Sequence, residues 1–435
     1  MHSHDTGRYI QPYGHAVRTP NLQALAEQGV LFRENHCACP TCSPSRSALL
    51  TGIYPHENGM LGLAHRGWSL RDPREHLAHQ LSDAGYLTAL SGVQHVAQPS
   101  EIDGEPFWHR LGYHQYLGNP ERAEAQAADF LESKPAEPFF LSCGFMETHR
   151  EFPALEPGDP EKPMFTAVPS PLPDTPENRR DMAEYNKCAR ILDEKMGRVL
   201  LSLEQSGLSE NTLVICTTDH GIAFPRMKCN LEDSGTGTML IMRGPGGFTG
   251  GKVVDAMTSH LDLYPTICEL SGISPPERLR GSSLLPLVRE ETKSVHEELY
   301  SEVTYHAGYE PMRAVRTDRY KYIRRFGDRR RPLLPNCDNG RSKNTWLEAG
   351  WRDTEAPAEA LFDLILDPNE MNSLATDASY LETLLSLSEK LDAWMEETAD
   401  PLVDGPVIPP PGAEVTWPDA NGPRDTVMRV LSPEG

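Results

Sequence analysis

No run of apolar residues in this 435-residue chain is long enough to span a bilayer, which excludes a transmembrane segment. The opening, MHSHDTGRYI, carries no signal-peptide pattern. Basic residues are in short supply: 41 Lys and Arg stand against 63 Asp and Glu, a formal charge of −22. Such a surface repels nucleic acid and acidic membranes on average, although a small anionic substrate can still bind a local basic pocket. There is no disulfide framework of the kind found in small secreted domains. The cysteine count of nine is odd, and outside one cluster these residues are scattered. Most of Cys143, Cys188, Cys216 and Cys268 lie inside apolar runs and read as buried small residues. No internal repeat is visible. What remains is an ordinary apolar fraction with all three aromatic types, the composition of a soluble globular chain. Its length suits one large domain plus a smaller one.

Three apolar runs read as buried strands: YLTALS (86–91), PFFLSCGF (138–145) and TLVICTT (212–218). Helical segments alternate with them. TPNLQALAEQG has Thr19 as cap, Pro20 in the first turn and Gly29 as terminator. DPREHLAHQLSDAG repeats the pattern from Asp72 and Pro73 to Gly85, and a long segment does so from Thr175 to Gly207. The alternation predicts an α/β fold with a doubly wound, mostly parallel sheet over residues 1–295. Beyond about residue 295 the pattern changes. RAVRTDRYKYIRRF alternates like an exposed antiparallel strand, and YLETLLSLSEKLDAWMEE is one amphipathic helix. Residues 296–435 are therefore expected to form a smaller α+β subdomain, with the Pro- and Gly-rich VDGPVIPPPGAEVTWPDANGP lying extended over the surface.

Open α/β sheets gather ligands at the carboxyl ends of their strands. The three runs end near His95, near His149, and at Asp219-His220. One such histidine alone is better read as a solvated loop residue; three strands with the same ending favour a shared site.

The stretch CACPTCSPSRSALLTG (37–52) crowds three cysteines into six positions. Cys39-Pro-Thr-Cys42 has redox spacing, yet it leads into PSRSALLTG rather than following the first strands of a small domain. A zinc site is a second reading, with no further cysteine pair at zinc spacing to complete it. In the third, Cys42 opens a helix whose N-terminal N–H groups favour an anion, and Arg46, one turn on, adds a fixed positive fork.

CSPSRSALLTG (42–52) resembles the signature of the formylglycine-dependent sulfatases of the alkaline-phosphatase superfamily, whose core is C-x-P-x-R followed by Thr-Gly. TPNLQALAEQGVLFRENH (19–36) is similar to the family's preceding helix and strand, and TTDHG to its second metal motif. SHLDLYPTICELSGI and ALFDLILDPNEMNSLA are similar to later family segments, so the likeness covers nearly the whole chain. HSHDTGRYI, PHENGMLGL, HGIAFPRMKCNL and EVTYHAGYEPMRAV most resemble the heparan N-sulfatase (sulfamidase) branch and its bacterial relatives.

The resemblance implies an alkaline-phosphatase-like fold and a sulfatase acting on O-sulfate or N-sulfate of a carbohydrate-type substrate. It implies that a maturase oxidises Cys42 to formylglycine. One hydroxyl of the hydrated aldehyde attacks sulfur, and the other later expels sulfate. Cys37 and Cys39 acquire no role and read as packed small residues. Arg46 would bind and orient the formylglycine, His95 would take the proton in the elimination step, and His149 with Lys228 would hold sulfate and assist the leaving group. A divalent metal would sit among Asp5, Asp219, residue 42 and His220, with His4 standing in the family's Asp-Asp position. Calcium is the first expectation. The imidazoles of His4 and His220, the latter standing where sulfamidases have Asn, bring manganese or zinc into consideration. Val93 stands where many members carry a Lys, so one positive contact to sulfate would be lacking or supplied from elsewhere. The implied partners are a sulfated saccharide or other small sulfate ester and the maturase. Two other functions are carried alongside: a phosphatase or phosphonate monoester hydrolase of the same superfamily, and a non-catalytic sulfoglycan-binding protein.

Two further expectations concern charge and chain start. The basic residues from Arg313 to Arg331 read first as a solvated strand face plus a charged loop, and second as a rim that meets a sulfated saccharide. In the resembled family a buried strand runs into the first metal residues, whereas here only Met1, His2 and Ser3 precede His4-Asp5. The expectation is an empty central sheet position and a frayed Asp5, unless upstream residues supply the strand. Localisation accordingly stays open: cytoplasmic for the chain as it stands, periplasmic or secreted with such an extension.

Overall fold

A computed structural model describes residues 1–98 and 104–431. Eight strands make one sheet: β1 (His2–Ser3), β2 (Val30–His36), β3 (Leu87–Gly92), β4 (Gln115–Gly118), β5 (Phe139–Gly144), β6 (Val214–Thr218), β7 (Leu240–Arg243) and β8 (Lys252–Ser259). Their order is β4-β3-β5-β1-β6-β7-β2-β8. Only β7 runs antiparallel to its neighbours β2 and β6. Alternate strand residues feed two cores, as strand geometry requires. Ala89, Cys143, Cys216 and Ile241 meet helices Pro20–Gln28, Ala123–Glu132 and Pro176–Gln205 on one face. Leu90, Val30, Leu240 and Met242 meet helices Cys42–Thr51, Leu77–Asp83 and Leu263–Ser271 on the other.

Most helix signals hold. Thr19 occupies the cap position of helix Pro20–Gln28, but its hydroxyl makes no capping bond and accepts from the Gln11 N–H instead. Thr175 caps helix Pro176–Gln205 by accepting from the Asn178 N–H. The segment from Asp72 to Gly85, expected as one helix, is two: a turn over Pro73–Glu75 capped by Asp72, then Leu77–Asp83 capped by the His76 ring. His76 takes extended backbone angles (φ −67, ψ 136), so it ends the first turn and starts the next helix.

The second sheet is antiparallel, in the order β12-β11-β10-β9, from β9 (Leu299–Tyr305), β10 (Tyr309–Arg316), β11 (Tyr320–Arg325) and β12 (Glu359–Asp363). Helix Leu381–Glu397 covers one face through Leu384, Leu387, Leu391 and Trp394. The other face, with Val303, Met312 and Ile323, packs on Cys39 and Leu231 of the first domain. The basic stretch is thus neither a solvated face nor a saccharide rim over β10 and the start of β11. Arg313, Arg316 and Lys321 are buried. They pair with Asp400 and Glu302, with Asp233 and Glu34, and with Asp233 and Glu370 respectively.

The central position of the large sheet is held by β1. Its two residues pair in parallel with Gly144 on one side and with Thr217 and Thr218 on the other. The Met1 ammonium donates to the Ile215 carbonyl, and the Met1 carbonyl accepts from the Thr217 N–H. Asp5 is fully buried rather than frayed. Beneath Met1 lies an apolar cavity of about 330 Å³ lined by Phe139, Leu141, Val214 and Ile215. Among the described residues no helix is long and apolar enough to cross a membrane.

Candidate active site

Strands β1, β3, β5 and β6 run parallel, so their carboxyl ends open on one edge. They deliver His4-Asp5, His95, His149 and Asp219-His220 to it. Close approach is needed there, and Gly92 allows it: at φ +78°, an added Cβ would come within 2.7 Å of the Ala123 methyl. The His4 ring centroid lies 5.3 Å from that of His95 and 5.4 Å from that of His149. Cys42 enters from helix Cys42–Thr51, as its first residue, with its sulfur 3.4 Å from His220 Nε2. Lys228 arrives from the loop after β6.

The site residues expected from the sequence therefore lie in one cluster, in which His4, Asp5, Cys42, Arg46, Asp219, His220 and Lys228 are buried and His95 and His149 half-buried. Asp219 is its hub. Its Oδ1 accepts from the backbone N–H of Asp5 at 2.8 Å and of His220 at 3.0 Å. Its Oδ2 accepts from Arg46 at 3.0 Å and lies 3.0 Å from His4 Nδ1. Burial alone would push this carboxyl up, but His220, Arg46 and His4 outweigh it and hold Asp219 well below the usual carboxylate range. Arg46 also donates to the Ser3 carbonyl at 2.7 Å, tying helix Cys42–Thr51 to β1. Lys228 Nζ sits between two carboxylates, 2.9 Å from Asp5 Oδ2 and 2.9 Å from Asp338 Oδ2. Burial works against its charge, yet Asp338 and Asp5 prevail and hold it well above the ordinary lysine range.

His4, Asp5, Cys42 and Asp219 each offer a ligand atom within 4.8 Å of the others. Asp5 Oδ1 and His4 Nδ1 are buried and make no well-aligned hydrogen bond. Buried, orphaned donor atoms converging on one point fit a divalent cation. His220 stands beside this set, its Nε2 3.4 Å from Asp5 Oδ1 and its Nδ1 3.0 Å from the Gly221 carbonyl oxygen. Burial holds the Cys42 thiol well above its ordinary range: Lys228 and Arg46 pull it down, but Asp5 and Asp219 add to the effect of burial, so the unmodified sulfur is a poor nucleophile here.

A family model for sulfatases matches residues 3–273. The chain belongs to the sulfatase family. A second model, for the C-terminal part of N-sulphoglucosamine sulphohydrolase, matches residues 226–334. Among curated relatives of this sulfatase, the human N-sulphoglucosamine sulphohydrolase is 30% identical, over 90% of this chain and 88% of its own. A Delta 4,5-hexuronate-2-O-sulfatase of Bacteroides thetaiotaomicron is 26% identical over 91% and 88%. In fold, the sulfatase resembles a solved 2-O GAG sulfatase, with a TM-score of 0.72 at 22% identity over 94% of both chains. It also resembles a phosphonate monoester hydrolase of Silicibacter pomeroyi, with a TM-score of 0.67 at 20% identity over 92% and 95%.

Residues from the second subdomain and from the loop after helix Cys42–Thr51 also border the cluster, without a signal in the sequence. Asp338 reaches Lys228 from the turn after Asn336. His306, at the end of β9, is buried with Nδ1 unpartnered. His65 stacks on His95, with centroids 5.4 Å apart and Nδ1 3.2 Å from His95 Nε2. The Asp-Asn-Gly at 338–340 was a readable turn signal, but nothing in it pointed at Lys228. Val93 is buried and its N–H is spent on the Gly144 carbonyl, so no cation replaces the absent lysine at that position.

Proposed function

We propose that this sulfatase removes sulfate from a saccharide, with N-sulfate on an amino sugar as the leading substrate. The observation that carries the reading is the convergence of Cys42, Arg46, Lys228 and the Asp5–Asp219 pair at the start of the C-S-P-S-R helix. Likeness to the human N-sulphoglucosamine sulphohydrolase over most of both chains supports the choice of N-sulfate.

Each residue then has a task. Residue 42, once a maturase has converted it to formylglycine, supplies an oxygen nucleophile that regenerates after each turnover. Asp5, Asp219 and His4 would hold a divalent metal, which would supply positive charge to the site. Arg46 braces Asp219 and residue 42 from the helix. Lys228 Nζ aims a fixed charge at the sulfate oxygens, where negative charge grows as the bond to the leaving group breaks. His149 Nδ1 is engaged with the Arg150 carbonyl, which orients the ring and leaves Nε2 free to pass a proton to the leaving atom. Burial, His4, Arg46 and His65 push His95 well below the ordinary imidazole range. It is a neutral ring with an unpartnered Nδ1, fit to accept a proton.

The test is a desulfation screen of fully converted enzyme over defined N-, 2-O-, 3-O- and 6-O-sulfated saccharides, with aryl phosphate and phosphonate ester in parallel. Turnover of an N-sulfated amino sugar above all others is expected. Faster turnover of the phosphorus esters refutes the reading.

A further inference from the structure

Lys228 has more negative charge around it than a sulfate-binding cation needs. Asp5 belongs to the candidate metal set. Asp338 does not: it comes from the second subdomain and places Oδ2 2.9 Å from Lys228 Nζ. The turn that presents it is tightly built. Buried Lys343 donates from Nζ to the Leu334 and Cys337 carbonyls, at 2.9 and 2.6 Å, and to Asn339 Oδ1 at 3.2 Å. Asn336, one turn earlier, accepts the Ala307 and Gly308 N–H groups at 3.0 and 2.8 Å. Asp338 is thus held in place by contacts that do not depend on Lys228. Its Oδ2 is buried and makes no well-aligned hydrogen bond, while the side chain keeps 15% of its surface open.

A fixed carboxylate beside a sulfate site repels the substrate's own charge. The arrangement favours a substrate that brings a hydrogen-bond donor to the open side of that carboxylate. The two sulfate classes differ at this point. The bridging oxygen of a sulfate ester carries no hydrogen, whereas the bridging nitrogen of a sulfamate carries one. Overall, R–NH–SO₃⁻ + H₂O gives R–NH₃⁺ + SO₄²⁻: the S–N bond breaks with its electron pair on nitrogen, and nitrogen takes up protons as a new S–O bond forms. The departing group gains positive charge in one case and none in the other.

We propose that Asp338 is a specificity-determining residue that accepts the N–H of the sulfated nitrogen and then pairs with the departing ammonium, favouring N-sulfate over O-sulfate. The proposal rests on the N-sulfate reading above. It is consistent with the charges that act on Asp338: burial would raise its carboxyl, but Lys228, His149 and His306 hold it ionised.

The experiment compares wild type with Asp338→Asn, which keeps the side-chain size and an oxygen for Lys228. Fully converted enzyme is assayed on N-sulfoglucosamine and on p-nitrophenyl sulfate. Loss of a charge-assisted hydrogen bond predicts kcat/KM for the N-sulfate lower by about 10- to 100-fold. Activity on the aryl O-sulfate rises, because a repelling charge is gone, so the ratio of the two reverses its preference. Equal losses on both substrates mean that Asp338 serves only to hold Lys228, and overturn the proposal. Wild type that cleaves the O-sulfate and no N-sulfate refutes the parent reading and the proposal together. Cleavage of N-sulfate with an unchanged ratio in the variant refutes the proposal alone. Calorimetric binding of glucosamine against glucose needs no turnover: wild type is expected to prefer glucosamine and Asp338→Asn to lose the preference, and a wild type without it is a further refutation.

Discussion

Arg313 is buried to 0% exposure, and its replacement by Met tests how the two sheets are held together. Its guanidinium donates to both Asp400 oxygens, at 2.5 and 3.0 Å, and lies 3.2 Å from Glu302 Oε2. Glu302 also accepts the His56 N–H at 3.0 Å, so the cation anchors a contact between β9 and the first domain. Arg313→Met keeps much of the apolar stem and strands the buried Asp400 carboxylate, while Glu302 keeps His56, whose Nδ1 lies 3.1 Å from its Oε2. Removing one partner of a buried ion pair costs ~3–5 kcal/mol. Unfolding entropy of about 2.1 cal/mol/K per residue gives roughly 0.9 kcal/mol/K for the whole chain, hence a Tm lower by about 3–5 °C, and by more if the second subdomain unfolds by itself. The pH dependence has a definite sign. Asp400 is buried, which would raise it, but Arg313 holds it below the ordinary carboxylate range. A depressed carboxylate stabilises the fold above its unfolded value near ~4 and stops doing so as pH falls through the native value. In the variant, burial without the cation raises the Asp400 carboxyl, so it protonates and ceases to cost stability in mild acid. The Tm gap measured by calorimetry should be largest near pH 7–8 and close towards pH ~4. A gap below 1 °C at pH 7, or one that does not change with pH, would refute the view that Arg313 is a buried clamp.

Further outcomes concern the active site. Peptide mass spectrometry of protein made with a maturase should find the Cys42 thiol replaced by an aldehyde, and Cys42→Ala should be inactive; full activity with the thiol intact contradicts the assignment. Lys228→Ala should lower kcat/KM by ~10²-fold or more, as for loss of a donor at developing charge, and an effect below twofold would place Lys228 outside the reaction. Removing divalent metal with a chelator should lower Tm as well as activity, because Asp5 and Asp219 would face each other with less compensation; restoration by calcium but not by manganese or zinc would identify the ion, and an unchanged Tm would argue against the cluster as a metal site.

The residues that were legible in the sequence share one property: their positions follow from chain-local signals. His95, His149 and Asp219-His220 each follow a short apolar run, and parallel strands must bring such endings to one edge. Cys42 and Arg46 lie one turn apart on a helix announced by its own signature. The basic stretch failed for the opposite reason. Alternation along RAVRTDRYKYIRRF does indicate strands, but which face is wet depends on carboxylates remote in sequence. Asp400 is supplied from beyond helix Leu381–Glu397, and Asp233 from the first domain. A period-two pattern carries no record of such partners. Helix Leu77–Asp83 shows a milder form of the same problem, since His76 is an unexpected cap that only its ring hydrogen bond reveals.

Asp338 extends this reasoning to specificity. The reacting groups sit where the large sheet ends, and any sulfatase with these strands would place them there. The groups that border this cluster come from elsewhere: His65 from the loop after helix Cys42–Thr51, His306 from the end of β9, Asp338 from a turn pinned by Lys343. None of these is fixed by strand periodicity, so their chemistry can vary without disturbing the reaction centre. Here that chemistry is a carboxylate placed against Lys228, the lysine proposed to bind sulfate. Such an anion lowers affinity for every sulfate alike, and it is regained only by a substrate that carries a donor next to sulfur. Selectivity at this site therefore arises from a repulsion that one class of leaving group relieves.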